Sequence, residues 1–189
     1  TKTEQADLLQ ALGASQGDFP RIVMAPLSIS DCFGAPALAF HVAERYQCPV
    51  IILSDMLMGE NNEAVDPAFL DTDFTIDRGE IVTDASGASR SEPYLRFKDT
   101  PSGISPRALP GTPDHLYVAA SDEHDEDSVL LTDVYTDPVR RKKMVDKRTR
   151  KMTTVLDHLP APQLAGPADA GVTLVGWGST WGVISEAVE

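Results

Sequence analysis

The chain has 189 residues, 42% of them apolar, and a formal net charge of −13, which is enough for one full domain or two partial ones. Its apolar runs, residues 49–53 among them, are far short of the roughly 20 residues a membrane-crossing helix needs, and no charged-then-apolar leader is present, so a soluble cytoplasmic protein is expected. Two cysteines, Cys32 and Cys48, without C-x-x-C spacing predict neither a disulfide scaffold nor a metal or cluster site, and the acidic balance argues against nucleic acid as a partner.

Residues 3–12 read as a helix, with Thr3 as N-cap, Glu4 and Asp7 at its positive end, and Leu8, Leu9 and Leu12 on one face before Gly13. After a Gly17-Asp18 turn, residues 21–25 form a short strand closed by Pro26. Ser30 and Asp31 offer N-caps for a helix to about Tyr46, in which Phe33, Ala37, Phe40, Val42 and Ala43 repeat at helical spacing and Pro36 falls within the first two turns. Residues 49–53 are continuously apolar, the pattern of a strand buried on both faces. Strand, helix and strand together predict a right-handed βαβ unit in a parallel sheet. Such sheets bind ligands at the carboxyl ends of their strands, here Ala25-Pro26 and Ser54-Asp55, so Asp55 is either a site residue or the N-cap of the following turn.

From residue 56 to 113 helical and strand periodicity is lost, leaving short candidate strands at 74–76 and 94–97. The turn-dense stretches 101–107 and 109–113 suggest a rigid surface built to meet something, and residues 115–120 suit one more strand. Asp137-Pro138 is an N-cap with proline at the first helical position. The helix it opens carries Val145, Met152, Val155 and Leu159 at heptad-like spacing and stops before Pro160. A proline-rich linker, 160–167, precedes a predicted strand at 171–175, a glycine turn at 176–180 and a helix at 181–188. These last elements look like the opening of a second α/β domain, and with Thr1 and Glu189 as termini the chain reads as a fragment.

Two charged segments stand out. Eight of the sixteen Lys and Arg residues lie between Arg140 and Lys151, giving that segment a net +7 and the rest of the chain −20. A solvated basic helix face, lying against acidic loops of the same protein, accounts for it better than a nucleic-acid patch, which would carry interleaved aromatics. The other segment, SDEHDEDS at 121–128, holds five carboxylates and a histidine in eight residues. It lacks the alternating ligands, central glycine and distal glutamate of an EF-hand. A cation site, an acid or salt-linked clamp at His124, and a solvated loop are its three readings. His41, His115 and His158 have no Cys or Glu at ligand spacing and are read as structural. No H-E-x-x-H, G-x-S-x-G or phosphate-loop motif occurs. Gly176-Trp177-Gly178-Ser179-Thr180 could present backbone N–H groups to an anion, but Trp181 stands where a dinucleotide fingerprint needs glycine, so close packing is the better reading of its glycines.

Taken in order, TKTEQADL at 1–8, the 49–55 strand, GISPRALPG at 103–111, EHDE at 123–126, KRTRK at 147–151 and GWGST at 176–180 form a set. With it the chain resembles the alpha subunit of 2-oxoacid:ferredoxin oxidoreductases, closest to the 2-oxoglutarate type. The resemblance implies an α/β fold. Residues 1–60 would be the second half of a thiamine-diphosphate-binding pyrimidine domain with a parallel sheet, 61–165 a loop-rich connection with a basic helix at about 138–159, and 166–189 the start of a transketolase C-terminal-like domain.

The implied reaction converts a 2-oxoacid and coenzyme A to acyl-CoA and carbon dioxide, with electrons passing to ferredoxin. Thiamine diphosphate and magnesium would be shared with a beta subunit, and the iron–sulfur cluster would belong to that partner. The catalytic residues would precede Thr1, leaving no catalytic group and no metal ligand here and an inactive isolated chain. Asp7 and Asp55 are the expected cofactor-side residues, and Arg107, Glu123, His124, Asp125 and Glu126 the interaction or loop-ordering ones. Lys2 stands where the family usually has arginine. A non-catalytic binding or assembly module is the alternative.

Overall fold

The computed structural model describes residues 6–82, 92–119, 122–131 and 137–189. It divides into two compact units, one built from residues 1–43, 48–76 and 159–189 and the other from 44–47 and 77–158.

The first unit holds the expected strand–helix–strand. β1 (Ile22–Met24) and β2 (Val50–Ile52) pair in parallel, Ile22 opposite Val50 and Met24 opposite Ile52, and α2 (Asp31–Tyr46) runs between them with Pro36 inside it. The helix is entered differently from the sequence expectation. Asp31 N–H donates to the Ser28 hydroxyl at 3.1 Å, and the Asp31 carboxylate turns back to accept from Leu27 N at 3.0 Å. Ile52 at 38% exposure and half-buried Val50 and Ile51 also show that the apolar run is not covered on both faces: a two-stranded sheet has two edges and too few neighbours to enclose it.

α1 (Asp7–Gly13) starts later than the expected helix and has Ala6 at its N-cap, while the predicted Thr3 cap lies outside the described residues. Its leucine face is not a core face. Leu9 and Leu12 are 72% and 53% exposed and Ala11 is the buried residue. The end of the helix is instead held by Arg21, whose guanidinium donates to the carbonyls of Ala11 and Ala14 and lies over the Phe19 ring at 4.2 Å. α3 (Met56–Glu60) follows β2 directly, capped by Asp55. At the other end of the chain α5 (Thr180–Val188) forms as expected. The run before it does not pair as a strand, and Val172, Leu174 and Val175 stand exposed. No neighbouring strand among the described residues offers it a ladder, and an extended segment without one has nothing to fix it as sheet.

The second unit has a pair of two-residue strands that no periodicity announced, β3 (Ile81–Val82) and β4 (Arg107–Ala108), parallel with Ile81 opposite Arg107. The expected strands at 74–76, 94–97 and 115–119 are irregular backbone, the first of them in the other unit, and residue 120 lies outside the described residues. Their β-branched and aromatic residues are used for side-chain packing instead. Tyr94 packs on His115 at 4.9 Å and Phe97 on Tyr117 at 6.3 Å between ring centres.

α4 (Pro138–Arg150) begins as the sequence requires, with Asp137 accepting from Val139 N and Arg140 N. It tightens at Lys151 into a 3-10 segment, Lys151–His158. Its buried face is Met144, Lys147, Lys151 and Val155, one residue out of step with the expected Val145 and Met152. Fully buried Tyr46 is anchored by its hydroxyl, 2.7 Å from Thr154 O and 2.6 Å from His158 Nδ1.

Candidate functional site

In the first unit the carboxyl ends of β1 and β2 form an edge dressed with acids. Asp31 accepts from Leu27 N at 3.0 Å, and Glu63 accepts from Ser30 N at 3.2 Å. Asp55, three residues past the end of β2, is half-buried and uses both oxygens: Oδ1 accepts from Met58 N at 3.0 Å and Oδ2 from Ser179 N at 3.1 Å. Burial alone would raise its pKa. Hydrogen bonds from the Ser179 hydroxyl and from the backbone N–H groups of Met58, Ser179 and Leu57 outweigh that and hold the carboxyl below its usual range.

Asp55 is therefore an N-cap, one of the two roles its position suggested, and in addition a tie to the glycine turn far along the chain. That turn fits because Gly178 is buried with φ +61, and a Cβ there would stand 3.2 Å from Asp55 Oδ2. Cys32 Sγ lies 3.8 Å from Met58 Sδ, and burial together with the Asp31 and Asp55 charges raises its thiol pKa, so it is no ready nucleophile. Asp7 is exposed in the first turn of α1.

In the second unit the acidic loop and the basic helix meet. Residues 123–131 fold back on themselves: Leu131 N donates to Glu123 O at 2.7 Å, Asp125 N donates to Val129 O at 2.9 Å, and His124 bridges antiparallel to Leu130. From this loop Glu123 pairs with Arg148 at 2.5 Å, Asp125 with Arg140 at 3.0 Å, and Glu126 with Lys143. Glu126 also accepts from Asp99 N at 2.6 Å. Its burial raises the pKa, and the Lys143 and Asp99 N–H hydrogen bonds lower it further than that, so the net shift is down. His124 does not join the ion pairs; its ring lies 3.8 Å from that of Phe97.

Several of the remaining basic groups of α4 and its 3-10 extension are also engaged. Arg150 pairs with Asp99, Lys142 with Asp146, and Lys151 Nζ donates to Gln47 O at 2.7 Å. Lys147 is 5% exposed and gives its ammonium to Phe97 O at 2.7 Å and Ser105 Oγ at 2.6 Å. Beside this, Arg107 pairs with Glu44, which also accepts from Arg78 at 3.1 Å. Those two guanidinium contacts, Arg107 first, pull the Glu44 pKa down.

Chemically, Glu123, Asp125 and Glu126 of the stretch 122–127 are held in charge pairs with α4. Among the described residues no group of three or more His, Cys, Asp and Glu side chains could hold a metal ion. His41 faces Thr75 O, His115 faces Pro113 O and His158 faces Tyr46. The sequence reading missed Ser179 as the partner of Asp55, Glu44 as the partner of Arg107, and Lys147 as a buried cation. All three depend on contacts between residues far apart in sequence, for which one sequence carries no signal.

Comparison with known proteins is consistent across the chain. The family model described as pyruvate flavodoxin/ferredoxin oxidoreductase, thiamine diphosphate-binding, matches residues 1–135. The 2-oxoacid:ferredoxin oxidoreductase subunit alpha of Saccharolobus solfataricus is 34% identical over 193 residues, covering 100% of this chain and 29% of that protein. The 2-oxoglutarate oxidoreductase subunit KorA of Mycobacterium tuberculosis is 35% identical over 188 residues, covering 99% of this chain and 27% of that protein. Among solved structures, the 2-oxoglutarate:ferredoxin oxidoreductase from Magnetococcus marinus with 2-oxoglutarate, coenzyme A and succinyl-CoA bound superposes with a TM-score of 0.76 at 33% identity, over 98% of this chain and 31% of that one. The chain thus spans under a third of the length of each of these three relatives.

Proposed function

The chain belongs to the pyruvate flavodoxin/ferredoxin oxidoreductase family, and from that membership we propose that it serves as a portion of the alpha subunit of a thiamine-dependent 2-oxoacid:ferredoxin oxidoreductase. The proposed reaction is oxidative decarboxylation of a 2-oxoacid with coenzyme A to acyl-CoA and carbon dioxide, electrons leaving for ferredoxin. 2-Oxoglutarate is the proposed substrate. The observation that carries this reading is the end-to-end likeness, at 33% identity and a TM-score of 0.76, to a 2-oxoglutarate enzyme.

The described residues do not fit the diphosphate of the implied cofactor. Asp31, Asp55 and Glu63 line the carboxyl edge of the β1–β2 pair and already accept backbone N–H groups there, so a diphosphate would meet like charge in place of free donors. In this proposal the groups that hold diphosphate, magnesium and the iron–sulfur cluster belong to a beta subunit. This chain contributes scaffold: a sheet edge from residues 1–60, a loop-ordering salt-bridge array from Arg107, Glu123, Asp125 and Glu126 with His124 beside it, and in 166–189 the opening of a transketolase C-terminal-like domain. No helix among the described residues is long and apolar enough to cross a membrane; the complex is proposed to be cytoplasmic.

The test is reduction of ferredoxin, or of a viologen dye, by the complete alpha subunit carrying this sequence, assembled with its beta subunit and supplied with coenzyme A. Turnover with 2-oxoglutarate well above that with pyruvate is expected. Turnover with neither would overturn the proposal in favour of a binding or assembly role.

A further inference from the structure

Backbone donors reach the Asp55 carboxylate from two places in the chain, Met58 close by and Ser179, 124 residues from Asp55. Met58 N donates to Oδ1 and Ser179 N to Oδ2, and the Ser179 hydroxyl and Leu57 N add to them. The first N–H groups of a helix have no acceptor within the helix. Ser179, at the N-cap of α5, offers no side-chain cap bond of its own. Asp55 supplies the missing acceptor and the negative charge that this end of the helix favours. Buried Gly178 permits the approach, since its missing Cβ would lie 3.2 Å from Asp55 Oδ2, tighter than an ordinary contact, with Pro26 O and Met58 Cε at an ordinary 4.0 Å.

We propose that Asp55 is a positioning residue whose carboxylate latches the 176–180 turn, and with it the start of α5, onto the carboxyl edge of the β1–β2 pair. It fills with the chain's own charge the place at that helix end which a ligand anion would otherwise take. The inference rests on the reading of this chain as part of a thiamine-dependent subunit: Asp55 acts there through the turn and not as a ligand of the cofactor. Only a carboxylate can serve both backbone donors with an oxygen each. Asparagine keeps one oxygen and turns an NH₂ toward the other N–H.

Hydrogen exchange on the full chain, without cofactor or substrate, tests the latch. In Asp55→Ala the peptide covering Ser179 and the first turn of α5 should exchange about tenfold faster, the effect of losing one charge-assisted hydrogen bond. Sodium formate, which fits the vacated carboxylate position, should restore its protection. Should the alanine variant not fold, Asp55→Asn carries the test: its remaining oxygen keeps the Met58 cap, so α3 should stay protected while the Ser179 peptide loses protection without formate rescue. In the assembled enzyme Asp55→Asn should lower kcat and leave the affinity for thiamine diphosphate unchanged. Unaltered exchange in both variants, or weakened thiamine diphosphate binding with wild-type exchange, would overturn the proposal. Because the exchange experiment uses no substrate, the latch stands or falls apart from the proposed reaction.

Discussion

Replacing Lys147 with methionine should erase a rise in stability with pH that the wild-type chain carries above neutrality. Lys147 is 5% exposed and its ammonium is held by Phe97 O and Ser105 Oγ. Burial, with repulsion from Lys151 added, pushes its pKa from 10.5 down to about 8 against the pull of Asp99 and Glu126. The unfolded lysine therefore keeps its proton between about pH 8 and 10.5 while the folded one has lost it, and stability rises wherever the unfolded chain binds more protons. At about pH 7 the charged amine costs on the order of 3 kcal/mol, and by about pH 9.5 some 2 kcal/mol of that is relieved. Methionine has similar length and no charge, so it removes both the cost and the slope. It also leaves Phe97 O without its donor, at about 1–3 kcal/mol, so the two effects nearly cancel at neutral pH. Urea denaturation followed by far-UV circular dichroism from about pH 7 to 9.5 measures both chains. A wild-type slope no steeper than that of Lys147→Met, or one falling with pH, would refute the reasoning.

Gly103→Ala should be the most damaging single methyl addition, because Gly103 has φ +77 and the new Cβ would collide with Lys147 O and stand 2.9 Å from Lys151 N, both backbone atoms that cannot swing away; a loss of about 2–5 kcal/mol in urea denaturation is expected. Glu123→Gln breaks a pair with Arg148 whose side chains are only 18% and 23% exposed and should cost about 1–2 kcal/mol by thermal unfolding, whereas Lys142→Ala removes an exposed pair, 75% and 53%, and should change stability by less than about 0.5 kcal/mol. Tyr46→Phe deletes the hydroxyl shared with Thr154 O and His158 and should cost about 1–2 kcal/mol, read from the urea midpoint. Glu44, Asp55 and Glu126 all have lowered carboxyl pKa values, so their stabilisation is present above the unfolded values near 4 and is lost as pH falls through the folded ones; a Tm-against-pH series should show a steep acid limb that Glu126→Gln flattens.

How much of this was legible beforehand depended on whether a feature was local. The strand–helix–strand order, the Asp137-Pro138 helix start and the α5 helix followed from periodicity and caps, which act over a few residues. The expected strands at 74–76, 94–97, 115–119 and 171–175 were apolar or aromatic runs of the right composition, but a strand exists only if another backbone comes alongside it, and composition does not say whether one will. The same limit applied to the candidate site. Asp55 could be recognised from its place after β2, but its second partner, Ser179, lies 124 residues away. Glu123, Asp125 and Glu126 could be recognised as a charge cluster, and the basic helix as its counterpart, because opposite net charges of that size in one acidic chain have few other places to go. Which carboxylate meets which cation, Glu123 with Arg148, Asp125 with Arg140 and Glu126 with Lys143, waited for the fold.

The shift of the buried face of α4 by one residue has a physical cause that bears on how this family's charge should be read. An apolar-only pattern selects Val145, Met152, Val155 and Leu159, yet the buried residues are Met144, Lys147, Lys151 and Val155, which also follow helical spacing. Lysine satisfies such a face when its methylene stem lies in the core and its ammonium finds a carbonyl at the far side, as Lys147 does with Phe97 O and Lys151 with Gln47 O. Two of the eight cations that made the segment look like a surface patch are thus core residues. The others described above are paired with carboxylates of the same unit. A run of eight basic residues in a −13 chain is in this case a device for holding loops together. Loss of the charges that meet the 123–126 loop, Arg140, Lys143 or Arg148 one at a time, should loosen that loop before it alters any association with a charged partner.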